Sequence, residues 1–250
     1  MDLENRNLER GFTGFVLLDS PDFERETFIK DFKEMWKIEI TAKEHEQYSL
    51  FFEYDSMLAV ISLIPIPVPD HEASVCAKHN YMWKDAVVSA DRHSAHLIVA
   101  VVGEQEDINK KAELFVKMLA TTCKMKNNLG IYTNSVVYEP AQYLQLSKIM
   151  EKGMLPIYNL IWFGMYRNGE KFSAYTVGMK AFDYDEMEVI DADCNPLQLQ
   201  TFMTSIAAYV LENQEKLKDN DTIGFNGYDV HKIHKSSGVA LPDETLKIEY

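Results

Sequence analysis

The side chains best suited to proton chemistry near neutral pH are clustered in one stretch, His79-Asn80-Tyr81-Met82-Trp83 followed by Asp91-Arg92-His93-Ser94-Ala95-His96. An imidazole oriented by a carboxylate can act as a general base, so His79, His93 and His96 with Asp91 form the candidate catalytic nucleus. The spacing counts against a metal pair. Residues three apart in an extended segment face opposite sides, so His93 and His96 converge only if the backbone turns. His96 falls inside an apolar run, where a neutral histidine bonded to a backbone or side-chain partner is the simplest expectation. Two indoles, Trp83 and Trp162, could instead line an aromatic pocket for a small ligand.

A second polar stretch holds Asp183, Asp185, Glu186, Glu188, Asp191 and Asp193. It lacks the glycine-bearing tight loop of a helix-flanked calcium site. It reads as a solvated strand face or as an acidic patch turned to a partner. No glycine-rich loop sits between a strand and a helix, so no nucleotide cradle is indicated. Gly-x-Ser-x-Gly and His-Glu-x-x-His are both missing. Cys76, Cys123 and Cys194 are far apart and odd in number, which indicates neither a disulfide framework nor a zinc site. Cys123 lies on the apolar side of its helix, where nothing would lower its pKa. No cofactor or metal is implied.

The net charge of −14 argues against a phosphate-backbone ligand and against anionic membrane surfaces, and is compatible with a basic protein partner. The polar start, Met1-Asp2-Leu3-Glu4-Asn5-Arg6, has no signal-peptide pattern, and apolar runs such as 97–102 are strand-sized. A cytoplasmic location is therefore expected. A 46% apolar and 12% aromatic composition supports a substantial core.

Strand and helix periods alternate along the chain. Residues 12–18 read as a buried strand, and Ser20-Pro21 as the start of a helix ending near Trp36. Residues 47–64 read as a hairpin turning at Asp55-Ser56, followed by an extended proline segment, 65–69. Helices are expected over 72–89 and 107–125, with a doubly covered strand at 94–102 between them. A strand at 129–138 and a helix from Pro140 to about 152 follow. Strands at 158–166 and 171–178 flank an Asn-Gly turn, and 186–191 is another strand. The longest helix runs from Pro196 to about 217, with Leu199, Phe202, Met203, Ile206, Ala207, Val210 and Leu211 in phase. Short strands close the chain at 221–224 and 245–250. The expected fold is α+β: a mixed β-sheet with packed helices, two similar α/β halves (1–139 and 140–250) sharing one extended sheet in a single compact domain, 1–250.

Several ordered segments carry a family likeness. They are Gly14-Phe15-Val16-Leu17-Leu18 before a helix ending in Trp36, then Asn80-Tyr81-Met82-Trp83, then His93-Ser94-Ala95-His96-Leu97-Ile98-Val99. Leu155-Pro156-Ile157-Tyr158-Asn159 with Trp162-Phe163-Gly164, Thr176-Val177-Gly178-Met179 and Asp221-Thr222-Ile223-Gly224 complete the set. In these the chain resembles the bacterial domain-of-unknown-function family 4261. The resemblance implies a bacterial cytoplasmic origin and a standalone domain, and it carries over no catalytic residue.

Three functions are open to such a sequence. The first is a non-enzymatic protein-binding module, immunity- or antitoxin-like or an adaptor, whose acidic surface (Asp183, Asp185, Glu186, Glu188) meets a basic partner, with Trp83 or Trp162 as anchors. The second is an enzyme centred on His79, Asp91, His93 and His96. The third is a small-ligand sensor near the two tryptophans.

Overall fold

The computed structural model describes residues 11–41, 48–226 and 229–250. The chain divides into two compact units, residues 1–159 and 160–250. Helices and strands make up an α+β fold, with the strands in two six-stranded sheets rather than the one extended sheet expected.

The first unit is built on strands β1 (Phe12–Leu18), β2 (Ser49–Tyr54), β3 (Met57–Ile64), β4 (Ala95–Gly103), β5 (Asn128–Thr133) and β6 (Val136–Tyr138), in the order β2-β3-β4-β1-β5-β6. Every pairing is antiparallel. Strand alternation assigns β1 to two layers. Phe12 stacks on Phe115 of α4 (Ile108–Thr122), while Leu17 joins a core with Ala73, Ala77, Ala86 and Ala90. Those alanines belong to α2 (Glu72–Ala77) and α3 (Ala86–Asp91). Helix α1 (Arg25–Trp36) packs beside α4 and buries Phe28 and Phe32, and α5 (Pro140–Ser147) also meets α4.

Three local expectations in the first unit need correction. Helix α1 begins at Arg25, not at Ser20-Pro21, because Asp19 to Asp22 are tied to Asn127: the Asp19 N–H donates to the Asn127 carbonyl, and the Asn127 amide donates to Ser20 and Asp22 carbonyls. The helix expected over 72–89 is two short helices. Buried Asn80 breaks it by accepting from the Met82 and Trp83 N–H groups and donating to the Val137 carbonyl. Its core face is alanine, and Val75 and Met82 are exposed. The strand expected at 129–138 is a hairpin turning at Asn134-Ser135, both left-handed with φ 52° and 54°. Asp55-Ser56 does the same between β2 and β3, as expected.

The second unit contains β7 (Trp162–Asn168), β8 (Lys171–Val177), β9 (Met187–Ala192), β10 (Thr222–Asn226), β11 (Asp229–Ser237) and β12 (Glu244–Ile248). Their order is β10-β11-β12-β9-β8-β7. The β9–β12 pair is parallel and the others antiparallel, so this sheet is mixed. Residues 157–160 form a helical turn, so the strand expected at 158–166 starts later, at Trp162. Helix α6 (Pro196–Asn213) lies on β7 and β8 and buries all seven residues of the expected face. Asn195 and Gln198 form a reciprocal cap at its start, with Pro196 in the first turn.

Candidate functional site

In the first unit His93 and His96 hold the proline segment between β3 and α2. The Val68 N–H donates to His93 Nε2 at 2.8 Å, and His93 Nδ1 bonds the Ala90 carbonyl. Those partners select the neutral tautomer with the proton on Nδ1. His96 Nδ1 donates to the Ile66 carbonyl at 2.9 Å, and its ring stands edge-on to Phe15. The two imidazoles, both buried, thus hold the strap at Ile66 and Val68. Burial lowers the His96 pKa, the bond to Ile66 opposes that, and nearby His93 lowers it further. His79 is exposed, its Nδ1 2.8 Å from the Ser135 carbonyl, and Asp91 is exposed at the end of α3.

A groove runs along the strap, lined by Pro67, Asp70, His71, Asp91 and His93. Asp70 and His71 are both left-handed, with φ 56° and 55°. Both ring nitrogens of His93 are already engaged with backbone, so it has no nitrogen to offer a substrate. Among the described residues no three His, Cys, Asp or Glu side chains are grouped to hold a metal ion.

The aromatic candidates lie in different units. Trp83 is packed against the alanine core of α2 and α3, and Trp162 is buried at the start of β7. Cys123 is enclosed, and burial pushes its thiol pKa far up. Cys76 Sγ lies 3.5 Å from the Tyr132 hydroxyl, which donates to Glu72 Oε1 at 2.6 Å.

Four acids of the second unit's acidic stretch, Asp183, Asp185, Glu186 and Glu188, are engaged within the unit itself. Asp183 and Asp185 pair with Lys216 and Lys235. Glu186 and Glu188 are buried. Glu186 accepts from the Thr176 hydroxyl at 2.7 Å and from the Gly178 and Lys180 N–H groups, holding the start of the turn Met179–Phe182. Burial raises its pKa, and those bonds only partly offset the rise. Glu188 accepts from the Val239 and Ala240 N–H groups, the Thr245 hydroxyl and the Lys247 ammonium. Burial pushes its pKa up as well, but these donors together outweigh the push and hold it below the usual range.

One feature of this unit was not read from the sequence. An open groove runs along α6 between Leu197, Thr201 and Ser205 on one side and Phe225 and Tyr250 on the other, floored by Phe202. Phe202 meets both Phe225 and Tyr250 edge-on. Leu197, Phe225 and Tyr250 are 71%, 51% and 46% exposed. Leu197, Thr201 and Ser205 recur at four-residue spacing, a helical stripe on the side away from the core. That stripe was the available signal, obscured because only Leu197 in it is apolar.

The family model for Domain of unknown function (DUF4261) matches residues 175–249, from β8 through β12. Over that stretch the chain is similar to the family, and Thr176–Met179, Asp221–Gly224, Glu186, Glu188, α6 and Phe225 all lie within it. No curated protein and no solved structure matches the chain. No helix among the described residues is long and apolar enough to cross a membrane.

Proposed function

We propose that the chain is a non-enzymatic protein-binding module of the bacterial cytoplasm, an adaptor or an immunity- or antitoxin-like protein, whose partner is basic. The observation that carries this is the α6 groove, where Leu197, Phe225 and Tyr250 are exposed beside one another. Large apolar side chains grouped at a surface are the usual anchors of an interface, and aromatic ones the strongest. A net charge of −14 supplies the attraction that speeds encounter with a cationic protein. The acids at 183–188 are spent on internal pairs, so the partner's charge is met by the field of the whole molecule.

The test is a pull-down from the native host with the tagged chain, in low and high salt, beside Leu197→Asp and Phe225→Asp. A stoichiometric basic protein should be retained by the wild type, weakened by salt, and lost from both variants. Retention that ignores the two substitutions, or no retained protein at all, would overturn the reading. The histidine-centred enzyme is the alternative. It would be favoured by turnover that disappears in His79→Ala or Asp91→Ala, the two exposed members of the candidate set His79, Asp91, His93 and His96.

A further inference from the structure

We propose that the groove along the strap is a binding site for a small organic cation, a primary amine or a guanidine on a short apolar body. The site belongs to the first unit and stands or falls apart from the binding-module reading. The groove has a volume of about 330 Å³, within the size range of small-molecule pockets. Pro67 and Val68 give it an apolar wall, and Asp70 and Asp91 bring two carboxylates to its lining. Neither carboxylate has a hydrogen bond or an ion pair among the described residues. Arg92, the next residue to Asp91, pairs with Asp19 instead. The opposite holds in the second unit, where Asp183 and Asp185 are answered by lysines of the same chain.

Exposed acids alone would be an ordinary surface, but Ser74 is not an ordinary neighbour for them. It lines the same groove, is only 8% exposed, and its hydroxyl has no hydrogen-bond partner among the described residues. Its oxygen is not sealed from solvent, so the groove is where it opens. Buried hydroxyls are ordinarily bonded. Ala73 and Ala77 beside it on α2 show that the seam with α3 needs no more than a methyl group, so the polar atom is not there for packing. Three acceptors, on Asp70, Asp91 and Ser74, suit a ligand rich in N–H donors, which an ammonium or a guanidinium is. The lining holds no group of three metal ligands, so the cation it fits is organic. His71 is the one lining group able to oppose it, because the Val68 N–H already occupies the lone pair of His93 Nε2. Two carboxylates outweigh one imidazole, and the net charge of −14 draws cations to the molecule. The wall is fixed before the ligand arrives: His93 and His96 hold the strap at Val68 and Ile66. Such preorganisation reduces the ordering that binding requires.

The probe is n-butylguanidinium, with n-butylammonium beside it, titrated into the full chain and followed by amide NMR shifts. We expect saturable binding with a dissociation constant on the order of 1 mM, in keeping with so small a ligand, and shifts centred on Asp70, His71, Ser74 and Asp91. Neutral n-butanol and anionic butyrate should bind at least about tenfold more weakly, since both lack the charge that the carboxylates answer. Asp70→Asn and Asp91→Asn should each weaken the cation by about tenfold. Asparagine tolerates the left-handed backbone at Asp70, and both positions are exposed, so folding is kept. Ser74→Ala should weaken binding by about threefold while leaving thermal stability unchanged or higher, because the free protein loses no hydrogen bond. Absence of saturation, equal binding of butanol, shifts centred elsewhere on the chain, or indifference to both asparagine variants would overturn the proposal. So would tighter binding of an end-capped Gly-Arg-Gly peptide than of butylguanidinium, which would make the occupant a protein side chain.

Discussion

Replacing Glu188 by alanine should unfold the second unit more readily than any surface substitution. Its carboxylate is fully buried and receives two backbone N–H groups, at 3.0 and 2.8 Å, the Thr245 hydroxyl at 3.0 Å and the Lys247 ammonium at 2.9 Å. Alanine leaves all four donors facing a void, with Lys247 itself largely enclosed. Breaking one partner of a buried ion pair costs about 3–5 kcal/mol. Each stranded backbone donor alone would cost about 1–3 kcal/mol, though these costs overlap and do not add. A loss of about 4 kcal/mol is a large share of the roughly 5–15 kcal/mol that holds a domain folded. Urea denaturation followed by far-UV circular dichroism measures it, with Glu170→Ala as the control. That residue's pair with Arg167 is 3.9 Å long and well exposed, so its loss should leave stability close to that of the wild type. Glu188→Gln keeps the shape and one acceptor oxygen and should lose less than alanine does. A Glu188→Ala variant within about 1 kcal/mol of the wild type would refute the argument that this carboxylate holds the loop before β12. Because the Glu188 pKa is depressed on folding, its contribution is complete above the unfolded carboxylate value of about 4.3 and is lost as pH falls through the folded value.

Glu186 should behave in the opposite sense. Its pKa is raised, so the folded state holds the proton more tightly, and stability falls as pH rises from about 4.3 to the folded value; Glu186→Gln should remove that slope in pH-dependent melting curves. His96→Ala should lower stability by about 2 kcal/mol at pH 8 without altering partner binding. The gap to wild type should narrow below about pH 6.5, because only the wild type must then give up a proton from His96 to fold; melting at two pH values checks it, and wild-type melting at pH 8 would contradict the buried-clamp role. Gly103→Ala should cost about 2–3 kcal/mol by thermal denaturation, since Gly103 has φ 125° and a Cβ there would lie 2.7 Å from the Ser56 carbonyl oxygen.

The sequence was most legible where one element carried its own signal. Helix α6 announces itself through Asn195-Pro196 and seven apolar residues in phase, all buried. Strand β1 and the Asp55-Ser56 hairpin were equally local. Strand β11 was not found, because Asp-Val-His-Lys-Ile-His-Lys-Ser-Ser has no sustained alternation. It is a strand because β10 and β12 supply ladder partners on either side. Glu186 and Glu188 looked solvated for a related reason: the groups that make burial of Glu188 tolerable lie some fifty residues further on, at Val239, Ala240 and Lys247. The break at Asn80 likewise depends on a distant carbonyl, that of Val137. For the histidines, the three-residue spacing already counted against convergence and the apolar run already buried His96; the partners that hold His93 and His96, Val68 and Ile66, lie 25 and 30 residues earlier in the proline strap and were not legible.

The parallel union of β9 and β12 has a kinetic corollary. These adjacent strands are separated in sequence by α6, β10 and β11, so the middle of the sheet is joined last. During synthesis, β7, β8 and β9 emerge as a three-stranded meander with one flank bare, and Glu188 waits for counter-groups still to be translated. Closing so long a loop is slow, and the nascent intermediate has an adhesive margin until β12 arrives. Stop codons between β11 and β12 should therefore yield insoluble chains rather than a smaller folded unit.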